Sequence, residues 1–383
     1  MNTSTVMAFA RTDTSRMSEW WWTVDRWLIA GVGLLIGVGF LMILAAGPAA
    51  AGRLGLSDSH FVARQAVFLI PALGLMIGVS LLDLKEARRF AMLLLAGSLF
   101  AVVLTHFFGP EIKGAHRWLY IGPFSLQPSE FLKPALAVTC AWLLAEGKKN
   151  DQVPGALLAI GLFTVSAALV LLQKDLGQTV LLSLVFGAQL FIAGLPMMFV
   201  VVIGILGVTG MVLAYMFLPH VTSRVDRFLD PESGDTYQID VARDAFEAGG
   251  FFGLGPGEGI IKARLPDAHT DYILAVAGEE FGALVCILLI ALFAFIVLRA
   301  LGRIVSEPDH FVQLAAGGLI VQFGMQAIIN IGVNLNLMPA KGMTLPFISY
   351  GGSSLLALAI AMGFVIAFTR RRTGRIPLLG SIS

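Results

Sequence analysis

Asp271 closes the polar run Leu265-Pro266-Asp267-Ala268-His269-Thr270-Asp271, and an apolar stretch follows it to about residue 298. A carboxylate there would sit at the mouth of a membrane helix, where partial loss of water raises its pKa toward that of a useful general base. The same position also suits helix capping, in which Thr270 or Asp271 does no more than satisfy the first amides of that helix. Glu279 would lie about 12 Å deeper on a continuous helix and nearly on the same face. Upstream, the same polar region holds Arg224, Arg227, Phe228, Leu229, Asp230 and Pro231, then Tyr237-Gln238.

Three further clusters carry ionisable or amide side chains beside apolar runs, where each is costly unless it has a partner or a task. Arg117-Trp118 precedes Gln127-Pro128-Ser129-Glu130-Phe131-Leu132-Lys133. Pro128 suits a helix start, Glu130 near that start is favoured by the helix dipole, and Glu130 and Lys133 share a face. They read either as a local ion pair or as the charged wall of an exterior cavity. Gln173-Lys174-Asp175-Leu176-Gly177-Gln178 reads as a tight turn between two apolar runs. Gln322, Gln326, Asn330 and Asn334 recur every four residues and draw a polar stripe on an apolar helix, for which hydrogen bonding between helices is the ordinary reason. Beyond it lie Asn336, Pro339, Lys341 and the run Leu345-Pro346-Phe347-Ile348-Ser349-Tyr350-Gly351-Gly352-Ser353-Ser354. Proline, paired glycines and hydroxyls at membrane depth imply irregular backbone, tolerated only inside protein or along a watery cavity.

The elements that must position these residues are membrane helices. Of 383 residues, 57% are hydrophobic and 13% charged, with a mean hydropathy of +0.83, which excludes a water-soluble globule. The apolar runs are continuous instead of alternating, so they predict helices and not a barrel. A bilayer core needs roughly 20 apolar residues per helix. Ten such spans are expected, at 27–46, 66–82, 90–107, 131–145, 156–172, 179–195, 198–218, 272–298, 311–334 and 345–368. If they alternate, Arg11, Arg16, Arg26, Lys85, Arg88, Arg89, Lys148, Lys149, Arg299, Arg303, Arg370, Arg371, Arg372 and Arg375 all fall on one face. The positive-inside rule makes that face cytoplasmic. Residues 1–26 and 370–383 are then cytoplasmic tails around a membrane domain at 27–369. Function belongs on the opposite side, in residues 109–130, the long loop at 219–271 between the seventh and eighth helices, and residues 335–344.

A net charge of +1 leaves no footprint for nucleic acid. Cys140 and Cys286 fall inside apolar runs and read as packing residues. The glycines at 249–257 lack the strand and helix of a dinucleotide site and read as tight turns.

In this order and on this topology, the motifs closely resemble the SEDS family of shape, elongation, division and sporulation proteins. The resemblance rests on Arg117-Trp118, Gln127-Pro128-Ser129-Glu130, Asp175-Leu176-Gly177, Phe228-Leu229-Asp230-Pro231, Ala268-His269-Thr270-Asp271, Gly278-Glu279-Glu280, Asn330-Ile331-Gly332-Val333-Asn334 and the run from Leu345 to Ser354. It covers about residues 27–370. Ala268, Lys341-Gly342-Met343-Thr344 and the longer N-terminus make the chain more similar to the division members than to the elongation members. Two positions depart from the family pattern: Lys174 stands where proline is common, and Asn336 where glycine is.

The resemblance implies an all-α polytopic protein of the bacterial inner membrane at the division septum. It implies a peptidoglycan glycosyltransferase that polymerises lipid II, a disaccharide-pentapeptide on undecaprenyl diphosphate. Asp271 matches the family's essential exterior aspartate. Glu130, Lys133, Arg224, Arg227, His269, Lys341 and Ser349 are then candidates for holding substrate. Arg117, Trp118, Gln127, Asp175, Glu279, Asn330 and Asn334 are candidates for supporting them. No cofactor is required, since the donor arrives activated, although a divalent cation bridging Asp271, Glu130 and diphosphate fits the same residues. Expected partners are a class B penicillin-binding transpeptidase, other division membrane proteins and membrane lipid. The rival readings are a transporter that flips the same lipid and a scaffold without activity. A flippase needs alternating access through the midplane, whereas the clusters at Glu130, Arg224, Asp271 and Lys341 gather near the exterior.

Overall fold

The computed structural model describes residues 15–371 apart from 113, 123, 231–235 and 340–341, and the side chains of Ile121 and His220 are also outside it. Lys341, Pro231, Arg11, Arg372 and Arg375 therefore lie outside the described residues. The chain runs α1 (Arg16–Thr23), α2 (Arg26–Arg53), α3 (His60–Ser80), α4 (Leu84–Phe108), β1 (Leu119–Ile121), β2 (Phe124–Leu126), α5 (Pro128–Lys149), α6 (Gly155–Leu172), α7 (Leu176–Ile192), α8 (Met197–Phe217), α9 (Pro219–Leu229), α10 (Tyr237–Gly249), α11 (Ile273–Ile304), α12 (His310–Asn334) and α13 (Gly352–Thr369). Eight of these helices are long and apolar enough to cross a membrane: α2, α3, α4, α6, α8, α11, α12 and α13. Helices α5 and α7 pack among them and correspond to the fourth and sixth expected spans. One carries Glu130 and Lys133, and the other is only 17 residues long. The chain is an all-α, multi-pass membrane protein with one small antiparallel hairpin, in which Leu119 faces Leu126.

Helices α5, α12 and α13 form the buried centre; α13 is apolar on every side because other helices surround it. Helix α8 has no buried residue and packs mainly on α9. The amphipathic α9 and α10 lie within the long exterior segment.

Two differences from the sequence reading shape the site. The tenth span begins at Gly352 and not at 345, because residues 345–351 form an irregular strap buried against the core. Gly39 on α2 lets that strap approach: a Cβ there would stand 2.0 Å from the Phe347 carbonyl oxygen. The eighth helix is broken at Gly282, whose φ of 78° and ψ of 177° are not helical. The backbone groups freed by the break are taken by the glycine turns of the exterior segment. Ala283 N–H donates to the Gly250 carbonyl at 2.9 Å, and Leu254 N–H donates to that of Glu279 at 3.0 Å. Such pairing is what allows irregular backbone at this depth.

Cys140 and Cys286 are buried free thiols.

Candidate active site

Two cavities open between the bundle and the exterior segment. The smaller, about 330 Å³, is lined by Arg224, Arg227 and Phe228 of α9, with Gln238 of α10 and Asp271 and Tyr272 beyond. The larger, about 390 Å³, is lined by Arg117, Trp118, Gln127 and Glu130 on one side and by Asp271 and Thr344 on the other. Asp271, Arg224, Asp267 and Gly342 border both. Asp271 is half-buried and precedes the first helical residue, Ile273; no helix N-cap bond is formed by the α11 cap residue, Tyr272.

The Asp271 backbone is held from α12. Its carbonyl accepts from the Asn330 amide at 2.9 Å and from the Asn334 amide at 2.8 Å. Asn330 also donates to the Met343 carbonyl at 2.6 Å, and Asn334 Oδ1 accepts the Ala275 N–H at 3.2 Å. The polar stripe thus points inward and fixes both the candidate base and the strap. Ser349 Oγ donates to the Thr270 carbonyl and accepts the Leu345 N–H at 2.8 Å, so it is spent on backbone next to Asp271.

A chain of buried polar side chains underlies the larger cavity. Lys133, 2% exposed, pairs with Glu130 at 2.9 Å and donates to Gln326 Oε1 at 3.2 Å. Gln178 donates to Glu130 at 2.6 Å, and Gln326 donates to the Thr344 carbonyl at 3.1 Å. The Lys133 ammonium is enclosed; Glu130, Gln178 and Thr344 are the members that border the cavity. Arg117 pairs with Asp175 at 3.4 Å and donates to the carbonyls of Gln173 and Lys174. Asp175 caps α7 through the Gln178 N–H at 3.2 Å. Burial pushes the Asp175 carboxyl above its ordinary value, and the Arg117 charge offsets only part of that. The Gln127 N–H donates to Ser353 Oγ at 3.0 Å, joining the start of α5 to that of α13.

His269 and Glu279 line neither cavity. The His269 ring packs on Phe61 at 4.1 Å and Tyr350 at 5.5 Å between centroids, and burial holds its pKa down to about 4. Glu279 is fully buried, and its two oxygens accept the amides of Ile261 at 2.6 Å and Lys262 at 2.8 Å. It lies on the stretch of α11 before the Gly282 break, and its carboxylate is taken by residues 261–262 of the exterior segment. Lys262 pairs in turn with Glu280.

Lys174 has φ 56°, a value that a proline ring cannot adopt, so this turn differs from the common family turn. Asn336 has φ 53°, the left-handed value that glycine takes most readily and asparagine tolerates, so the turn is retained. Arg64, which borders the larger cavity, was not among the residues singled out from sequence. A lone arginine at the exterior end of a span runs against the positive-inside trend, and that mismatch was its available signal. Among the described residues, no group of three or more His, Cys, Asp or Glu side chains converges as a metal site.

The cell cycle protein family model of FtsW, RodA and SpoVE matches residues 26–374. Similar curated proteins include a probable peptidoglycan glycosyltransferase FtsW of Caulobacter vibrioides, 46% identical over 375 residues, covering 98% of this chain and 96% of the relative. Another, of the same name, from Trichlorobacter lovleyi, is 36% identical over 353 residues, covering 89% and 92%. Among solved structures, a chain of a peptidoglycan synthase complex that coordinates polymerization and crosslinking superposes with a TM-score of 0.75 at 28% identity, covering 90% and 97%. The rod shape determining protein RodA of Thermus thermophilus gives 0.66 at 26% identity, covering 91% and 97%.

Proposed function

This chain belongs to the FtsW, RodA and SpoVE family of cell cycle proteins, and from that premise we propose how its exterior cavities work. The protein is a peptidoglycan glycosyltransferase. Its substrate is lipid II, and its product is a glycan strand laid down outside the inner membrane at the division septum, with both termini cytoplasmic.

The observation that carries the residue assignment is that Asp271 borders both cavities while its backbone is fixed by Asn330 and Asn334. A sugar hydroxyl is a weak nucleophile, and Asp271 takes its proton as the glycosidic bond forms. The electron pair of the breaking bond leaves with the diphosphate, which needs no protonation to depart but does need its charge held. Arg224, which faces both cavities, and Arg227, in the smaller, supply that charge; Lys341 is a further candidate from sequence. Glu130 and Gln127 line the larger cavity and suit binding of sugar or peptide. Lys133 acts through Glu130, not by touching substrate. His269 and Ser349 shape the Asp271 loop.

Asp271 and Glu130 are oxygen donors on one cavity, the type of group that holds a divalent cation. Such a cation would add positive charge beside the diphosphate.

The likeness to a chain of a polymerizing and crosslinking complex supports a class B penicillin-binding transpeptidase as partner, within a larger set of division membrane proteins. The exterior gathering of charge favours transfer over flipping.

The decisive experiment supplies labelled lipid II to the purified protein with its transpeptidase and compares glycan length for wild type and Asp271→Asn. Wild type makes chains and the variant makes none. Chains from both would remove the role of Asp271, and chains from neither would remove the enzyme reading.

A further inference from the structure

At the cytoplasmic end of the bundle, far from Asp271, a second charged pocket of about 450 Å³ gathers four arginines from separate parts of the chain. Arg26 begins α2, Arg299 and Arg303 lie in the last turns of α11, and Arg371 follows α13. The one carboxylate among the lining residues is Asp25. Its Oδ2 accepts from Arg299 at 2.9 Å and from Arg303 at 2.8 Å, and its Oδ1 accepts the amides of Trp27 at 3.0 Å and Leu28 at 3.2 Å. Asp25 is therefore used up as an acceptor, and its single charge is shared between two guanidiniums. Three positive charges of the lining remain without a carboxylate in the pocket. Like charges so close repel one another, and an anion in the pocket relieves that repulsion.

The pocket sits where three membrane helices meet the aqueous boundary, and its walls include Trp22 and Trp27, 42% and 67% exposed. Indoles favour the headgroup level of a bilayer. Helix α1 lies across the same region: the Trp20 indole donates to Ser80 at 2.9 Å, and the Arg371 N–H donates to the Thr23 carbonyl at 2.8 Å. Arg26 stands 5.3 Å from the ring centroids of both Trp21 and Trp22, which holds its guanidinium at this level. The Arg299 and Arg303 side chains remain 36% and 30% exposed, open to a ligand from outside.

We propose that this pocket binds the phosphate headgroup of an anionic phospholipid of the inner leaflet, with Arg26 and Arg371 clamping the phosphate over the Asp25-anchored pair Arg299 and Arg303. Basic pockets between helices on the cytoplasmic side are suited to such headgroups, and guanidiniums match phosphate oxygens in pairs. The site ties α1, α2, α11 and the exit of α13 to the lipid composition of the membrane.

The test places the full chain in bilayer nanodiscs of phosphatidylcholine with and without phosphatidylglycerol, and measures by native mass spectrometry which lipid stays bound. Arg26→Gln and Arg371→Gln are the informative variants, because neither side chain holds Asp25, so the anchored pair survives. Wild type retains phosphatidylglycerol over phosphatidylcholine. Each variant weakens that retention about five-fold, and the double variant about 25-fold, from the worth of one arginine near an anionic surface. Lys148→Gln and Lys149→Gln, at the cytoplasmic end of α5 and outside the pocket, leave retention unchanged. Equal retention of the two lipids by wild type, or equal loss in the lysine variants, overturns the proposal. Displacement of the lipid by millimolar inorganic phosphate also overturns it, in favour of a soluble anion.

Discussion

Asn330 holds Asp271 by its backbone and not by its carboxylate: the Asn330 side-chain amide donates to the Asp271 carbonyl at 2.9 Å, and to the Met343 carbonyl at 2.6 Å. One side chain on a buried helix thus ties the candidate base to Met343, which leads into the strap. The Asp271 side chain borders both cavities while its backbone is secured from α12.

Asn330→Leu removes both bonds, and the one its Oδ1 accepts from Asn334 at 3.2 Å, while keeping the same branched shape. Asn334 still holds the Asp271 carbonyl, so the fold survives with a loss of about 1–3 kcal/mol for the stranded acceptors. Polymerisation falls further than stability does, by about 100-fold, because misplacing a reacting group by about an ångström is that costly. Glycan synthesis from labelled lipid II, set beside thermal melts of the same preparations, separates the two losses.

Breaking the Glu130 and Lys133 pair from one side leaves a buried charge. Glu130→Gln strands the Lys133 ammonium, 2% exposed, with Gln326 as its remaining bond. The expected cost is about 3–5 kcal/mol. Adding Lys133→Met removes the stranded charge and restores most of the stability, though not the carboxylate that borders the cavity. Detergent-solubilised melts of the single and double variants measure the recovery.

His269 makes stability depend on pH. Burial lowers its pKa in the folded protein from 6.5 to about 4, with the Asp267 charge opposing. Below pH 6.5 the unfolded chain takes up a proton that the folded chain refuses until about pH 4. This contribution is therefore fully present above pH 6.5 and is lost progressively as pH falls toward 4. His269→Phe, which can still stack on Phe61 and Tyr350, flattens that part of the profile. Unfolding midpoints recorded between pH 7 and pH 5 for both proteins give the comparison.

Gly39→Ala reaches the site from behind. The new methyl would lie 2.0 Å from the Phe347 carbonyl oxygen, which is backbone and cannot swing away. Either α2 or the strap must shift, at about 1–3 kcal/mol. Ser349 and Thr344 move with the strap, so activity drops along with the melting temperature. Gly33→Ala, six residues earlier on α2 and facing open space, serves as the control and leaves both unchanged.

Much of the site was legible because a charge or amide in an apolar run is conspicuous. Glu130, Lys133, Asp175, Asn330 and Asn334 stand out wherever hydrocarbon surrounds them, since each must find a partner to be tolerated. Which partner each one finds was not legible. The Glu130 and Lys133 pair, three residues apart, is the exception; Lys133 reaches Gln326 across 193 positions, and Glu279 reaches the amides of Ile261 and Lys262 across 18 and 17. The break at Gly282 was hidden for a related reason. Gly278-Glu279-Glu280-Phe281 before it and the apolar run after it carry no mark of a break, and the docking of residues 250–255 supplies the bonds that let the helix open.

Hydropathy alone sufficed for the all-α, multi-pass class and for eight of the ten expected spans, because lipid acts on each segment separately through its own composition. Motif spacing likewise marked Asp271 as the residue around which to look. That Asp271 borders two cavities with Arg224 beside it, that His269 turns to an aromatic stack, and that four arginines meet around Asp25 are products of packing. Those contacts join residues from about fifty to nearly three hundred positions apart, and only the packing of helices against one another brings such residues within reach.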